Sequence, residues 1–319
     1  MALIVLAAPI PALLGFLVLA LAPAYLSHRE VVTIGVTAGV LPAVVLVPVA
    51  GVCVATQCAG GLIPIMTIDF KEAVIDLALI LDPLSAVAGA TVSVVGGAVI
   101  TYSSVYMWSA LTPDLRRFFA LMNLFMASML AMVMAGDSIV FFLGWEMMGL
   151  CSFFLIAYNM NSRRAVAAGR KAFVMTRVAD AALLAGLLLM FLEAGTVRIE
   201  ALIEATIAGD RADLIAALLL VGALGKSAQL PFQTWLPTAM AGPTPVSALL
   251  HSATMVAAGV VLLARFAPLF AATPGVAAAT AAAGAATALY GAVTAIAQAD
   301  VKRLLAFSSI SQIGFMIVA

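Results

Sequence analysis

Five ionisable side chains fall within long apolar stretches of the sequence: Glu146, Arg177, Asp180, Lys226 and His251. A charge at the centre of a bilayer costs about 2.5–3.5 kcal/mol, so residues of this kind usually pair or line a path for ions. Carboxylates, amines and imidazoles held together exchange protons readily, because small displacements change which group carries the charge. These residue types predict a proton relay through Glu146, Asp180, Lys226 and His251.

A structural role is the alternative for these groups, with interhelical ion pairs that lock a helix bundle. Arg177 and Asp180 fit that role best, because residues three positions apart share one helix face. We therefore expect an ion pair between Arg177 and Asp180.

Four prolines follow Lys226 at short intervals: Pro231, Pro237, Pro243 and Pro245. Proline removes a backbone donor and clashes with the preceding turn, so the helix that carries Lys226 is predicted to break after Gln229. Freed backbone groups at membrane depth are tolerated where they are buried in protein or line a watery cavity, and broken helices mark ion sites in transporters. Alternatively, the prolines only end one helix and start the next.

The composition places these residues in a membrane protein. Of 319 residues, 65% are hydrophobic and 9% are charged, the formal net charge is zero, and the mean hydropathy is +1.20. These values exclude a soluble globule, a disordered chain and a nucleic-acid binder. The three cysteines form no C-x-x-C pair, and no G-x-G-x-x-G motif follows a strand. We expect no metal site, no bound cofactor and no covalent catalysis in this chain.

Charge-poor stretches long enough to cross a bilayer recur along the sequence. They predict an all-α, polytopic transmembrane bundle with nine complete spans, and a tenth that starts near Leu304 and stops at Ala319 before it could cross. The predicted spans are 1–26, 31–55, 79–108, 118–136, 138–158, 171–192, 213–240, 243–264 and 275–299. The first is taken as a retained helix, because it lacks the basic segment of a signal peptide.

Lys and Arg residues divide unequally between the two sides of this arrangement, with nine on one side and four on the other. The positive-inside rule then places the N-terminus outside the cytoplasm. Outside loops include residues 56–78, a candidate hairpin, and 193–213, a candidate amphipathic surface helix. A disulfide between Cys53 and Cys58 is permitted on that side, although two free cysteines are favoured. Gly144 and Gly149, which flank Glu146, are expected to allow close helix packing.

Several stretches resemble the large antiporter-like membrane subunit of NADH:quinone oxidoreductase, subunit L of complex I. They are GWEMMGLCSF around Glu146, KAFVMTRVAD ending at Asp180, the block from Gly225 to Gly259 that begins GKSAQLPFQTW, and DVKRLLAFSSISQIGFM near the end. The resemblance runs from about Leu81 to Ala319. The wider superfamily also contains multisubunit cation/proton (Mrp-type) antiporter, membrane-bound hydrogenase and inorganic-carbon uptake subunits.

The resemblance implies a proton half-channel in which Glu146 pairs with Lys226 of the broken span and His251 continues the path. It also implies relay roles for Asp180 and for Lys302, which begins the tenth span. Three regions follow: residues 1–110 with spans 1–3 and an outer hairpin, 111–270 with the first five-helix repeat, and 271–319 with the start of a second, inverted repeat. The implied partners are the bilayer, protons or Na⁺, and complex I subunits that carry NADH, FMN, iron–sulfur clusters and quinone, in a bacterial inner membrane.

The sequence departs from that family pattern in one respect, because it ends within the tenth span. The second broken helix with its lysine is missing, so a complete transmembrane path within this chain is in doubt. Two alternatives to the complex I function remain: a subunit of an Mrp-type Na⁺/H⁺ antiporter or of a related hydrogenase or carbon-uptake complex, and a truncated remnant that does not pump.

Overall fold

A computed structural model describes residues 7–21, 26–56, 58, 61–70, 73–251 and 254–319. Seven single helices within these ranges are long and apolar enough to cross a membrane, and an eighth candidate span, residues 244–265, runs over residues 252–253, which lie outside the described residues. The chain is therefore a multi-pass membrane protein built as a helix bundle. Its helices are α1 (Ile10–Leu21), α2 (His28–Thr56), α3 (Pro83–Tyr106), α4 (Thr112–Val133), α5 (Ser138–Ile156), α6 (Arg163–Ala194), α7 (Ile199–Ala208), α8 (Ala212–Lys226), α9 (Trp235–Ala239), α10 (Thr244–His251), α11 (Ala258–Arg265), α12 (Ala267–Ala272), α13 (Pro274–Ile296) and α14 (Val301–Val318).

Most of the nine predicted spans coincide with observed helices, with differences at their ends, but span 213–240 is divided into α8 and α9 and span 243–264 into α10 and α11. Helix α1 covers only 12 residues of the predicted first span, and residues 1–6 and 22–25 of that span lie outside the described residues. The expectation that the tenth span is too short is wrong. Helix α14 has 18 residues and is apolar enough to cross, since a rise of 1.5 Å per residue gives it about 27 Å.

One β-hairpin accompanies the helices, as predicted for the first outer loop. Its strands, β1 (Gly61–Phe70) and β2 (Ala73–Leu81), are antiparallel with Gly61 opposite Leu81 and Phe70 opposite Ala73. The third span consequently begins at Pro83 and not at residue 79, because residues 79–81 belong to β2. Asp82 fixes that boundary by accepting a hydrogen bond of 2.7 Å from the backbone N–H of Ser85, while the Ser85 hydroxyl accepts from the backbone N–H of Asp82 at 2.9 Å.

The hairpin is joined to the bundle through the turn between α4 and α5. Within this turn Met134 accepts a backbone bond of 2.7 Å from Ile80, and Gly136 donates one of 2.9 Å to Ala78. Asp137 caps α5 and accepts from the backbone N–H groups of Ala78, Ile139 and Val140 at 2.8–2.9 Å. Burial raises the pKa of Asp137, and these three donors only partly oppose that rise.

The second predicted outer element, residues 193–213, contains a helix, as predicted. Helix α7 buries Ile199, Leu202 and Ile203 and packs against α6, α8 and α12. Near the end of α2, Cys53 and Cys58 form a disulfide. The preference for two free cysteines is therefore wrong, while Cys151 is free and buried.

Helix α4 forms the centre of the first half of the bundle. It packs against α1, α2, α3 and α5, and most of its residues are buried. Helix α5 packs on α4, helix α6 packs on α5, and helix α8 packs on α6. This arrangement places the ionisable residues of the fifth, sixth and seventh spans against one another.

Candidate functional site

The ion pair between Lys226 and Asp180 lies where α6 and α8 pack together. Lys226 is the last residue of α8, and its side chain is completely buried. Its ammonium donates to Oδ2 of Asp180 at 3.2 Å, and the Asp180 side chain is 2% exposed. Close helix packing makes this contact possible, because a Cβ on Gly225 would come within 2.1 Å of the Ala179 Cβ. A buried charge therefore finds its counter-charge on the neighbouring helix.

Trp145 of helix α5 contacts both members of this ion pair. The indole N–H of Trp145 donates to Oδ1 of Asp180 at 2.6 Å, and the Lys226 nitrogen lies 5.4 Å from the centroid of the indole ring. One turn later, a Cβ on Gly149 would come within 2.8 Å of the same nitrogen. Sequence reasoning missed Trp145. It gave Gly149 a helix-packing role, whereas this glycine leaves room for the amine.

Glu146 and Arg177 form a second ion pair between α5 and α6. The Arg177 guanidinium also lies 4.8 Å from the ring centroid of Phe173. The predicted pair between Arg177 and Asp180 is wrong, because each residue reaches to a different neighbouring helix. The pairing of Glu146 with Lys226 is likewise replaced, since the lysine takes Asp180 and Glu146 takes the arginine.

The helix that carries Lys226 is interrupted, as predicted, but the break begins at the lysine itself. Residue Ala228 adopts a left-handed backbone with φ of 50°, and the second half-helix α9 starts only at Trp235. Of the four prolines, Pro231 lies in the break. Pro237 lies inside α9, and Pro243 and Pro245 lie at the start of α10. The second pair therefore opens the next helix and does not break this one.

Side chains satisfy much of the backbone that the break releases. The Trp235 indole donates to the Gly225 carbonyl at 3.0 Å, and the Ser227 hydroxyl donates to the Val256 carbonyl at 2.8 Å. The Gln229 amide donates to the carbonyls of Ser227 and Ile310 at 2.9 and 3.3 Å. The Gln229 Oε1 atom is buried, and no hydrogen-bond partner for it is found in the part of the chain that the structure describes. The break is thus a buried polar segment that includes the amide oxygen of Gln229 as a free acceptor among the described residues. The sequence analysis assigned no role to Gln229.

His251 and Lys302 line a separate cavity of about 530 Å³ between α3, α10 and α14. Both ring nitrogens of His251 are buried without a hydrogen-bond partner among the described residues. The Lys302 ammonium donates to the carbonyls of Met240 and Gly242 at 3.1 and 3.0 Å. Polar side chains from α10 and α14 share the lining: Thr244, Ser247, Ser308, Ser309 and Gln312.

The predicted residues therefore form two groups. Glu146, Arg177, Asp180 and Lys226 form two neighbouring ion pairs, whereas His251 and Lys302 share the cavity. Gln229 lies between them in sequence and contacts α14 through Ile310. Buried groups that alternate between paired charges and unpaired acceptors are suited to moving protons. Among the described residues, no cluster of His, Cys, Asp and Glu side chains is arranged to hold a metal ion.

This fold and this site define a class of membrane protein. A family model described as "NADH:quinone oxidoreductase/Mrp antiporter, TM" matches residues 135–319, more than half of the chain, and the chain belongs to that family. A second model, described as "NADH-Ubiquinone oxidoreductase (complex I), chain 5 N-terminus", matches residues 68–119.

Curated relatives are named NADH-quinone oxidoreductase subunit L. The relative from Escherichia coli (strain K12) is 44% identical over 246 residues, which are 76% of this chain and 40% of that protein. The relative from Mycobacterium tuberculosis (strain ATCC 25618 / H37Rv) is 46% identical over 247 residues, which are 77% and 39% of the two chains. This chain thus spans about two-fifths of the length of these relatives.

A solved structure supports the fold over nearly the whole chain. A chain in the structure of the Mrp complex from Dietzia sp. DQ12-45-1b superposes with a TM-score of 0.81 and 33% sequence identity, over 98% of this chain and 34% of that one. The resemblance stated from sequence and the helix-bundle fold class are thereby confirmed, and the named relatives are subunits of larger complexes.

Proposed function

We propose that this chain is a proton-translocating membrane subunit of NADH:quinone oxidoreductase. The observation that carries the proposal is the completely buried Lys226–Asp180 pair beside the helix break. The names of the subunit L relatives support the same assignment. The matched residues are only about two-fifths of these relatives, so the roles below are assigned only to side chains of this chain.

Proton movement begins in this proposal at the Glu146–Arg177 pair. Arginine stays protonated, so the closed pair holds Glu146 as a carboxylate. Opening the pair removes the counter-charge and lets Glu146 take a proton. Arg177 and Asp180 are three residues apart on α6, so their Cβ atoms are about 5–6 Å apart. The two ion pairs are close enough for the charge state of one to change the other.

Lys226 supplies the next step. While Asp180 holds a negative charge beside it, the ammonium keeps its proton. A positive charge arriving near Asp180 weakens that hold, and the proton can pass into the break toward Gln229 and the His251 cavity. Loss of this proton leaves a neutral amine beside a carboxylate, which attracts the next proton from the Glu146 side. His251 and Lys302 then serve as later stations of the path.

The driving force must come from other subunits. Each proton moved against 100 mV costs about 2.3 kcal/mol, and we assign no redox group to this chain. We infer partner subunits that carry NADH, FMN, iron–sulfur clusters and quinone. The location that goes with this function is a bacterial inner membrane, with the N-terminus outside and protons moving outward from the cytoplasm.

The second candidate is a subunit of an Mrp-type Na⁺/H⁺ antiporter, which the similarity to a chain of the Dietzia complex supports. An antiporter uses an existing ion gradient and needs no electron donor. Gradient formation that depends on Na⁺ and is insensitive to NADH would favour it over the redox-driven pump. A remnant that does not pump is the third reading.

The test uses inverted membrane vesicles that contain the assembled complex, with NADH as electron donor and a pH-sensitive dye as the readout. We expect Lys226→Ala and Glu146→Ala each to abolish or greatly reduce the pH gradient while assembly is retained. Lys171→Ala is the matched control, because this lysine is exposed and its ammonium donates to the Thr238 hydroxyl at 3.5 Å, outside the two ion pairs. Unchanged gradients in assembled Lys226→Ala and Glu146→Ala complexes would reject the relay.

A further inference from the structure

Trp145 is completely buried, and its side chain contacts both members of the Lys226–Asp180 pair. We propose that Trp145 is a positioning residue for the relay, which holds Asp180 through its indole N–H and Lys226 through its ring, and thereby favours the charged form of the pair. This inference deepens the proposed proton relay and rests on it for its role in transport. Its test does not depend on transport.

The hydrogen bond acts on the carboxylate. At 2.6 Å it is short for an N–H donor, and donors to ionised carboxylates form the stronger class of hydrogen bond. The Lys226 ammonium occupies the other oxygen, Oδ2. Asp180 therefore has a donor on each oxygen, and protonation of either oxygen would oppose one of them.

The ring acts on the ammonium. A cation within about 6 Å of an indole centroid is attracted to the ring face, more strongly where water is excluded, and here the distance is 5.4 Å. Gly149 lies four residues after Trp145 on the same face of α5 and provides the space for the amine. The ring itself is fixed by stacking on Phe141, with centroids 5.9 Å apart.

These two contacts both favour the charged forms of the pair. The N–H bond stabilises the carboxylate, and the ring stabilises the ammonium, so Trp145 opposes transfer of the proton from Lys226 to Asp180. Such a residue keeps the relay charged until an approaching charge changes the balance. Trp145 thus contacts the two groups that carry the proton, Asp180 and Lys226.

The test is an infrared titration of Asp180 in the full chain, with any subunits that copurify, in lipid nanodiscs. The carbonyl stretch of a protonated carboxyl group reports Asp180, and its band is identified by its loss in Asp180→Asn. We expect Trp145→Phe, which keeps a ring but removes the N–H, to shift protonation of Asp180 upward by about one to two pH units.

Trp235→Phe is the matched control. Trp235 is also completely buried, and its indole N–H also donates a hydrogen bond, but the acceptor is the neutral Gly225 carbonyl. We expect its Asp180 band to titrate as in the unchanged chain. A general effect of removing a buried indole would instead shift both variants equally and would overturn the proposal.

A second variant keeps the test decisive if Trp145→Phe fails to fold. An analogue of tryptophan in which sulfur replaces the N–H, incorporated at position 145, preserves the shape and removes only the donor. The same upward shift is expected, and an unchanged titration would overturn the positioning role even if proton transport is observed. Conversely, a shifted titration in a chain that does not translocate protons would reject the proposed function alone.

Discussion

The Lys226 ammonium and the Asp180 carboxylate are 3.2 Å apart, and both side chains are closed to solvent, at 0% and 2% exposure. A buried ion pair contributes little net stability when intact, but loss of one partner leaves an uncompensated charge. This asymmetry makes the pair suitable for a relay, since the protonation state of either group has large energetic consequences for the other.

Asp180→Asn is expected to destabilise the chain, because Lys226 must then either stay buried as an uncompensated charge or give up its proton to stay buried. The expected cost is about 3–5 kcal/mol in the free energy of unfolding. Unfolding of the purified protein in mixed micelles, followed by circular dichroism, measures it. Combining Asp180→Asn with Lys226→Met should recover much of the loss. The control Arg177→Gln should cost less, since the arginine side chain is 37% exposed. Equal losses in the free energy of unfolding for Asp180→Asn and Arg177→Gln would show that removing the counter-charge of Lys226 has no special cost.

Gly149 and Gly144 are predicted to respond differently to alanine. A Cβ at position 149 would meet only the movable end of Lys226 at 2.8 Å, whereas one at position 144 would meet backbone atoms of Ser128 and Met132 at 2.7 and 2.8 Å. Gly149→Ala should therefore displace the amine and reduce proton transport with little effect on thermal stability. Gly144→Ala should force α4 and α5 apart and lower the melting temperature. Intact transport in Gly149→Ala would show that the amine position is not critical.

Asp82 predicts a pH dependence outside the membrane-spanning segments. Burial acts to raise the pKa of Asp82, but the hydrogen bond and charge of Arg265 and the bonds from Ser85 outweigh it and hold the pKa below its usual value. A carboxyl group whose pKa is lowered by folding stabilises the fold above its unfolded-state pKa of about 3.9, and that contribution is lost as pH falls through the folded-state value.

Removing this group should flatten the acid limb of stability. Asp82→Asn is expected to be less stable than the unchanged chain at neutral pH and to lose less on acidification, as measured by thermal unfolding between neutral and acid pH. Arg265 also donates to the Val133 carbonyl at 3.2 Å, so Arg265→Gln should be less stable as well. Parallel acid limbs for Asp82→Asn and the unchanged protein would contradict this assignment.

The disulfide predicts a simple pattern of thiol labelling. Of the three cysteines, Cys53 and Cys58 are bonded and Cys151 is free and buried. Alkylation of the unfolded chain without reductant should modify Cys151 alone, and prior reduction should expose all three, as read by mass spectrometry. Labelling of all three cysteines without reductant would remove the disulfide.

Apolar length and charge placement predicted the helices well, because membrane crossing constrains both. The same reasoning could not choose partners within the site. Spacing on α6 allowed Arg177 to pair with Asp180, but the groups on α5 and α8 are closer competitors once the helices pack, and their approach depends on Gly225 and Ala179.

Two further features were hidden for physical reasons. Trp145 is an apolar residue in an apolar run, so its polar contact with Asp180 leaves no trace in hydropathy. The eighth span also departs from a continuous helix near Thr254, whose φ and ψ are −122° and −104°. No proline or glycine marks that position, so local sequence gave no signal. Residues 252–253 of this span lie outside the described residues.

The most direct test of the account is a double-mutant cycle on proton transport, in vesicles with equal amounts of assembled complex. Asp180→Asn and Lys226→Met should each lower the initial transport rate by about two orders of magnitude or more. The double variant should be no slower than the worse single variant, because residues that act as one unit are not additive. Unchanged rates in the single variants, or losses that simply multiply in the double variant, would contradict a relay centred on this pair.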